Sequence, residues 1–230
     1  MKLLLYIALL PGIILMFYIY KQDKVEKEPL SLLALLLFGG LLSAVVASFL
    51  EQIAENIIYV FIDGNDILFQ LVENFLGVAL IEEGCKYFFL KKFSWNNYNF
   101  NCSFDGIIYA AFVSLGFALT ENVLYAFSYG LETAVIRAVT AIPAHMAFGI
   151  VMGIFYSEAK FGLNNGIAKI YYRNKRVALL LPVLIHGLYD YCLSIGSDLL
   201  MIVWYALMII IYIIIFIIRR KKAKNDREII

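Results

Sequence analysis

Ile81-Glu82-Glu83-Gly84-Cys85-Lys86 sits inside ILFQLVENFLGVALIEEGCKYFFL, residues 67–90, a run that is otherwise mostly apolar. Such a run is long enough to cross a bilayer, which takes about 20 residues at ~1.5 Å each. A charge near the centre of a spanning helix costs on the order of 2.5–3.5 kcal/mol on insertion scales. Two adjacent glutamates there imply a use inside the membrane. On a helix Lys86 lies one turn from both, i,i+4 to Glu82 and i,i+3 to Glu83, so it can partner either carboxylate. Its alternative is to snorkel to the interface.

The whole chain fits a membrane reading. Its 230 residues are 63% hydrophobic and 16% charged, with a mean hydropathy of +0.82, values of the polytopic membrane class. The expected fold is all-α, a transmembrane helix bundle forming one integral membrane domain, 1–230. Seven spans are read, at about 2–20, 30–50, 67–90, 104–129, 133–157, 177–195 and 199–218. The first lacks a small-residue cleavage site and carries more basic charge after its apolar run than before it, which marks a retained span rather than a secretory signal.

Charge alternates between the connections. Of 19 basic residues, 16 fall in every second one: Lys21, Lys24 and Lys27; Lys91 and Lys92; Lys160, Lys169, Arg173, Lys175 and Arg176; and the basic tail 219–230. The positive-inside rule then places the N-terminus outside and the C-terminus in the cytoplasm, in a multi-pass protein of the cell membrane. The stretch 51–66, with Ile53, Ile57, Ile58 and Phe61 among acidic residues, reads as a short amphipathic helix on the outer surface. Residues 160–176 read as a cytoplasmic loop anchored to anionic headgroups. Cys85, Cys102 and Cys192 show no CxxC spacing, so neither a disulfide framework nor a cysteine metal site is expected. The expected surroundings are lipid and a membrane substrate, with no nucleic acid.

Ionisable residues recur at membrane depth on further spans. The fourth carries Phe117 and, one turn on, Glu121 followed by Asn122. In the fifth, Ala141, His145, Gly149 and Gly153 recur every four residues, a small-residue stripe that lets another helix approach with His145 at the contact. The sixth carries His186 and Asp190, again i,i+4. Glu73 and Arg137 are assigned to the outer interface and Asp105 to a helix cap. Any one buried His or Asp reads equally well as helix–helix glue. Together, several such groups at ~2.5 kcal/mol or more each accumulate a cost that apolar packing would avoid. They mark a functional site.

The set holds carboxylates and imidazoles but no GxSxG elbow, Ser-Lys arrangement or reactive-cysteine context. A desolvated glutamate can take a proton from water and return it to a leaving amine, while histidine and a protonated acid can donate to an oxyanion. Two histidines and a glutamate are also ligand types for a catalytic Zn²⁺, with Glu82, Glu121, His145 and His186 as candidates, although the HExxH helix is absent. Both routes are hydrolysis by an activated water. Intramembrane Glu, Asp and His also build proton-coupled transporters, but no inverted repeat or broken-helix pair is evident. A scaffold with polar helix contacts is the third reading.

The order Glu82-Glu83-x-x-Lys86, Phe117-x-x-x-Glu121, His145, His186-x-x-x-Asp190 resembles the PrsW family of intramembrane proteases across about residues 67–195. A more distant likeness is to the CaaX-protease and bacteriocin-processing superfamily, whose EExxxR and FxxxH motifs differ at Lys86 and Glu121. The PrsW resemblance implies site-1 cleavage of a membrane-anchored anti-sigma factor in a stress response. The superfamily implies a glutamate general base, Glu82 or Glu83. By the same carry-over Glu121 or His145 orients the water and His186 with Asp190 binds the oxyanion, with Lys86, Phe117 and Asn122 in support. The expected span edges place Glu121 about 25 Å from the cytoplasmic end of its helix and Glu82 nearer that end. A shared site therefore requires a helix edge to move.

Overall fold

Away from water a chain must satisfy its N–H and C=O groups internally, and a helix does so within each segment. The computed structural model describes every residue except Met1, Lys24, Asn65, 219–225, Arg227 and Ile230, with Lys2 and Ile218 described in their backbone alone. The helices are α1 Lys2–Tyr20, α2 Leu30–Phe61, α3 Ile67–Val72, α4 Leu80–Ser94, α5 Asp105–Val139, α6 Ala141–Asn164, α7 Ala168–Ile195 and α8 Asp198–Ile213. A π-helical segment, Glu73–Ala79, joins α3 to α4, and a second, Ile214–Ile218, follows α8. The all-α expectation holds. The basic tail at 219–230 lies outside the described residues except for Asp226, Glu228 and Ile229.

Five helical stretches of the described residues are long and apolar enough to cross a membrane: Leu3–Tyr20, Leu30–Phe61, Asp105–Asn164, Ala168–Ile195 and Asp198–Ile217. Large apolar side chains such as Phe17, Phe49, Leu184 and Ile209 face outward and are exposed, as lipid-facing groups would be. The expected third span is divided by the π-helical segment and carries Glu73, Glu82, Glu83 and Lys86.

The first half of α5 is the centre of the bundle, with every residue from Asp105 to Leu119 buried. Small residues let its neighbours come this close. A Cβ on Gly40 of α2 would stand 2.9 Å from Gly116 Cα, and one on Gly153 of α6 would stand 2.5 Å from Ile107 Cα. A Cβ on Gly149 would stand 2.8 Å from the Ala110 carbonyl oxygen. The stripe read from the sequence of the fifth span is therefore the α5–α6 crossing.

Three expectations are corrected. Residues 51–66 do not form a separate surface helix, because α2 continues unbroken to Phe61. Its length carries Glu51 alongside the membrane-depth residues. Most of 160–176 is helical rather than loop, since α6 ends at Asn164 and α7 starts at Ala168. Glycine at Gly166, φ 69°, permits the tight turn between them. The fifth span does not begin at Thr133. Gly130 has φ 86° and ψ −167° and bends α5, so 131–139 is a separate piece and His145 belongs to a helix starting at Ala141.

Candidate active site

One turn of α4 brings Glu82, Glu83 and Lys86 to the same face, and all three are buried. Lys86 does not snorkel: it is 0% exposed. Its Nζ donates to Glu82 Oε2 at 3.0 Å and to Glu83 Oε1 at 2.7 Å, so it partners both carboxylates. The Phe117 ring of α5 lies against the ammonium, 3.9 Å from Nζ to its centroid.

His145 of α6 links this triad to α5. Its Nδ1 is 3.1 Å from Lys86 Nζ and its Nε2 is 2.9 Å from Glu121 Oε2. Lysine has only donors, so Nδ1 accepts from Lys86, and the ring proton sits on Nε2 and is donated to Glu121. On the other side, α7 places His186 Nδ1 3.0 Å from Glu83 Oε1 and Nε2 3.1 Å from Asp190 Oδ2. Nε2 is also 3.9 Å from Glu82 Oε2. Phe148 stacks on the His186 ring with centroids 4.8 Å apart.

The depth mismatch is resolved at a helix edge. Helix α4 runs to Ser94 rather than 90, which raises Glu82 by about 6 Å at ~1.5 Å per residue. The side chains of Lys86 and His145 span the remaining difference. Glu82, Glu83, Lys86, Phe117, Glu121, His145, His186 and Asp190 form one connected cluster. Asn122 does not join it: its Nδ2 donates to the Ala8 carbonyl of α1 at 3.0 Å. Asp105 accepts from the backbone N–H of Asn101 and Cys102, at 2.9 and 2.6 Å, and so ties down the loop before α5.

Two groups were missed from sequence. Arg137, expected at the outer interface, has Nη2 2.8 Å from Glu121 Oε2 and its guanidinium 3.9 Å from the Tyr125 ring centroid. The signal for it existed. Lys2, Lys86 and Arg137 are the basic residues left over by the alternating loops, and two of them are in the cluster. Glu51 is the other, with Oε1 buried and unpartnered. Both line a cavity of about 420 Å³ that also exposes Glu82, Glu121, His145, His186 and Asp190. Glu83 lies behind its wall, 0% exposed.

Glu82, Glu83, His145 and His186 offer metal-ligand atoms within 4.8 Å of one another. By residue type and spacing they suit a metal, but Glu82 Oε2, Glu83 Oε1 and His145 Nδ1 already surround Lys86 Nζ. A zinc ion stands ~2.0–2.2 Å from nitrogen and oxygen ligands. The position equidistant from Glu82 Oε2, Glu83 Oε1 and His145 Nδ1 is the one that Lys86 Nζ fills. Both His186 nitrogens face carboxylates. A metal does not fit this arrangement unless Lys86 leaves.

Helices of this length around a buried carboxylate–imidazole cavity define a multi-pass integral membrane enzyme. The chain belongs to the PrsW family: residues 28–218 match the family described as "PrsW family intramembrane metalloprotease". It is similar to the protein named Protease PrsW of Geobacillus kaustophilus, 34% identical over 207 residues and 86% of each chain. The Protease PrsW of Bacillus subtilis is 30% identical over 221 residues, covering 95% of this chain and 93% of that one. That of Clostridioides difficile is 35% identical over 224 residues, covering 90% and 88%. No solved structure matches the chain. The protein is an intramembrane protease.

Proposed function

We propose that the protein hydrolyses a peptide bond of a single-span membrane substrate with a water activated by Glu82. The observation that carries this is the different exposure of the paired glutamates: Glu82 lines the cavity while Glu83 is sealed behind it. Glu82 accepts the proton of the attacking water and later delivers it to the leaving amine. Glu83 is a positioning residue, holding Lys86 and His186. Glu121, which lines the cavity and is held by His145 and Arg137, orients the water. His186 turns its Nε2 from Asp190 to the oxyanion as that charge develops, and the guanidinium of Arg137 adds donors there; removing one such donor typically costs about 10²–10³ in rate.

The resemblance read from sequence points to an anti-sigma factor as the substrate, cleaved at site 1. The test is cleavage of a co-expressed single-span anti-sigma-type protein by wild type and Glu82→Gln, each with and without a zinc chelator. Loss in the variant together with indifference to chelator supports the proposal. Full cleavage by Glu82→Gln overturns it, and loss with chelator in the wild type moves the chemistry to a metal.

A further inference from the structure

We propose that Lys86 is the built-in cation of this site, its ammonium occupying the place of a metal and keeping one out. The inference rests on the cluster being the hydrolytic site, but its test reads metal content and is independent of cleavage.

Lys86 is coordinated much as a metal ion would be. Its three N–H groups face three acceptors on two helices, Glu82 Oε2 at 3.0 Å, Glu83 Oε1 at 2.7 Å and His145 Nδ1 at 3.1 Å. Phe117 covers a further side with its ring face. An ammonium has three donors and no acceptor, so every donor is used and no water is needed to complete the shell. These distances are hydrogen-bond lengths, longer than metal–ligand bonds by close to an ångström. The carboxylates are therefore held apart at the spacing an ammonium needs.

The other ring nitrogens are already committed. His145 turns its protonated Nε2 to Glu121, and His186 has a carboxylate at each nitrogen. Glu83 Oε2 is buried without a partner, yet Glu83 is shielded from the cavity. A divalent ion would have to enter beside a fully buried positive charge and strip it of its acceptors. Lys86 is tethered to the helix that carries both glutamates, one turn away, so it cannot diffuse off as a metal can. The chain thus meets the electrostatic requirement of its paired carboxylates from its own sequence, and does not depend on a supplied metal.

The experiment loads full-length protein in detergent with Co²⁺ or Zn²⁺, removes free metal by desalting, and measures bound metal by elemental analysis. Wild type is expected to retain far less than one metal per chain. Lys86→Ala, which vacates the position and leaves the other ligands, is expected to approach one per chain, with a cobalt absorption band in the visible. Wild type holding one metal per chain that is lost in Glu82→Gln or His186→Ala would overturn the proposal. So would a folded Lys86→Ala that stays metal-free, since Lys86 would then not be the excluding group. Wild-type metal that survives both site variants lies elsewhere and counts as none. If Lys86→Ala does not fold, the wild-type measurement decides by itself.

Discussion

Arg137 Nη2 and Glu121 Oε2 stand 2.8 Å apart although both belong to α5. On an unbroken helix their Cα atoms would be separated by about 24 Å at ~1.5 Å per residue, beyond the reach of any side chain. Gly130, with φ 86° and ψ −167°, is where the helix breaks and lets the chain fold back. Ala126 and Ala134, on either side of it, pack into one cluster with Ala8. The second piece of α5 returns its only cation to the cavity.

Substitution at Gly130 should therefore act at a distance. No atom lies within 4 Å of a Cβ built there, so Gly130→Ala meets only backbone strain, about 1–3 kcal/mol for this region. The expected result is a lower melting temperature together with a loss of cleavage similar to that of Arg137→Ala, about 10²–10³-fold. Arg137→Lys should recover part of the activity, because a charge remains near Glu121 without the fork. Kinetics of the three variants on one substrate check this.

The paired glutamates should respond differently. Glu82→Gln is expected to lower the cleavage rate by about 10²–10⁴, the usual worth of a general base, with little change in melting temperature. Glu83→Gln removes a fully buried partner of Lys86 and His186, and breaking such a pair costs about 3–5 kcal/mol. It should lose stability as well as activity. Thermal unfolding measured beside cleavage separates the two.

At the α5–α6 crossing, Gly153→Val should force the helices apart. Even a Cβ would lie 2.5 Å from Ile107 Cα, and overpacking typically costs about 1–3 kcal/mol. The melting temperature should fall by several degrees, and activity with it, because α6 carries His145 to Glu121 and Lys86.

The 20–30 connection predicts a pH effect on stability. Burial, the leading cause in each case, lifts Asp23 from 3.8 to about 6 and Glu28 from 4.5 to about 7. For carboxyls raised in the fold, the stabilising contribution is complete below the unfolded values and is lost as pH climbs through the folded ones. Melting temperature should therefore decline between about pH 4 and pH 7. Glu28→Gln should flatten that decline, and an unchanged slope in the variant would refute the assignment.

Much of this protein is legible in the sequence because membrane helices obey local rules. Long apolar runs must become helices, charged loops interrupt them, and the i,i+4 spacing of Glu82 with Lys86 and of His186 with Asp190 fixes which residues share a face. For the same reason the stripe of Gly149 and Gly153 marked a close helix crossing before any contact was known. The PrsW motifs named the cluster residues other than Arg137 and Glu51.

What sequence could not supply depends on contacts between segments. The extension of α2 to Phe61 follows from packing, since the polar residues at 51–56 look like the edge of a span until a cavity is there to receive Glu51. Arg137 sits near a span end by count, and only the backbone bend at Gly130 turns it inward. Asn122 is next to Glu121 in the chain, but successive residues on a helix point about 100° apart, which sends it to α1. The partners of Lys86 were narrowed to two by spacing. That His145 is the third, filling the place a metal would need, is decided by where α6 crosses α4 and α5, a relation between distant segments that no local pattern encodes.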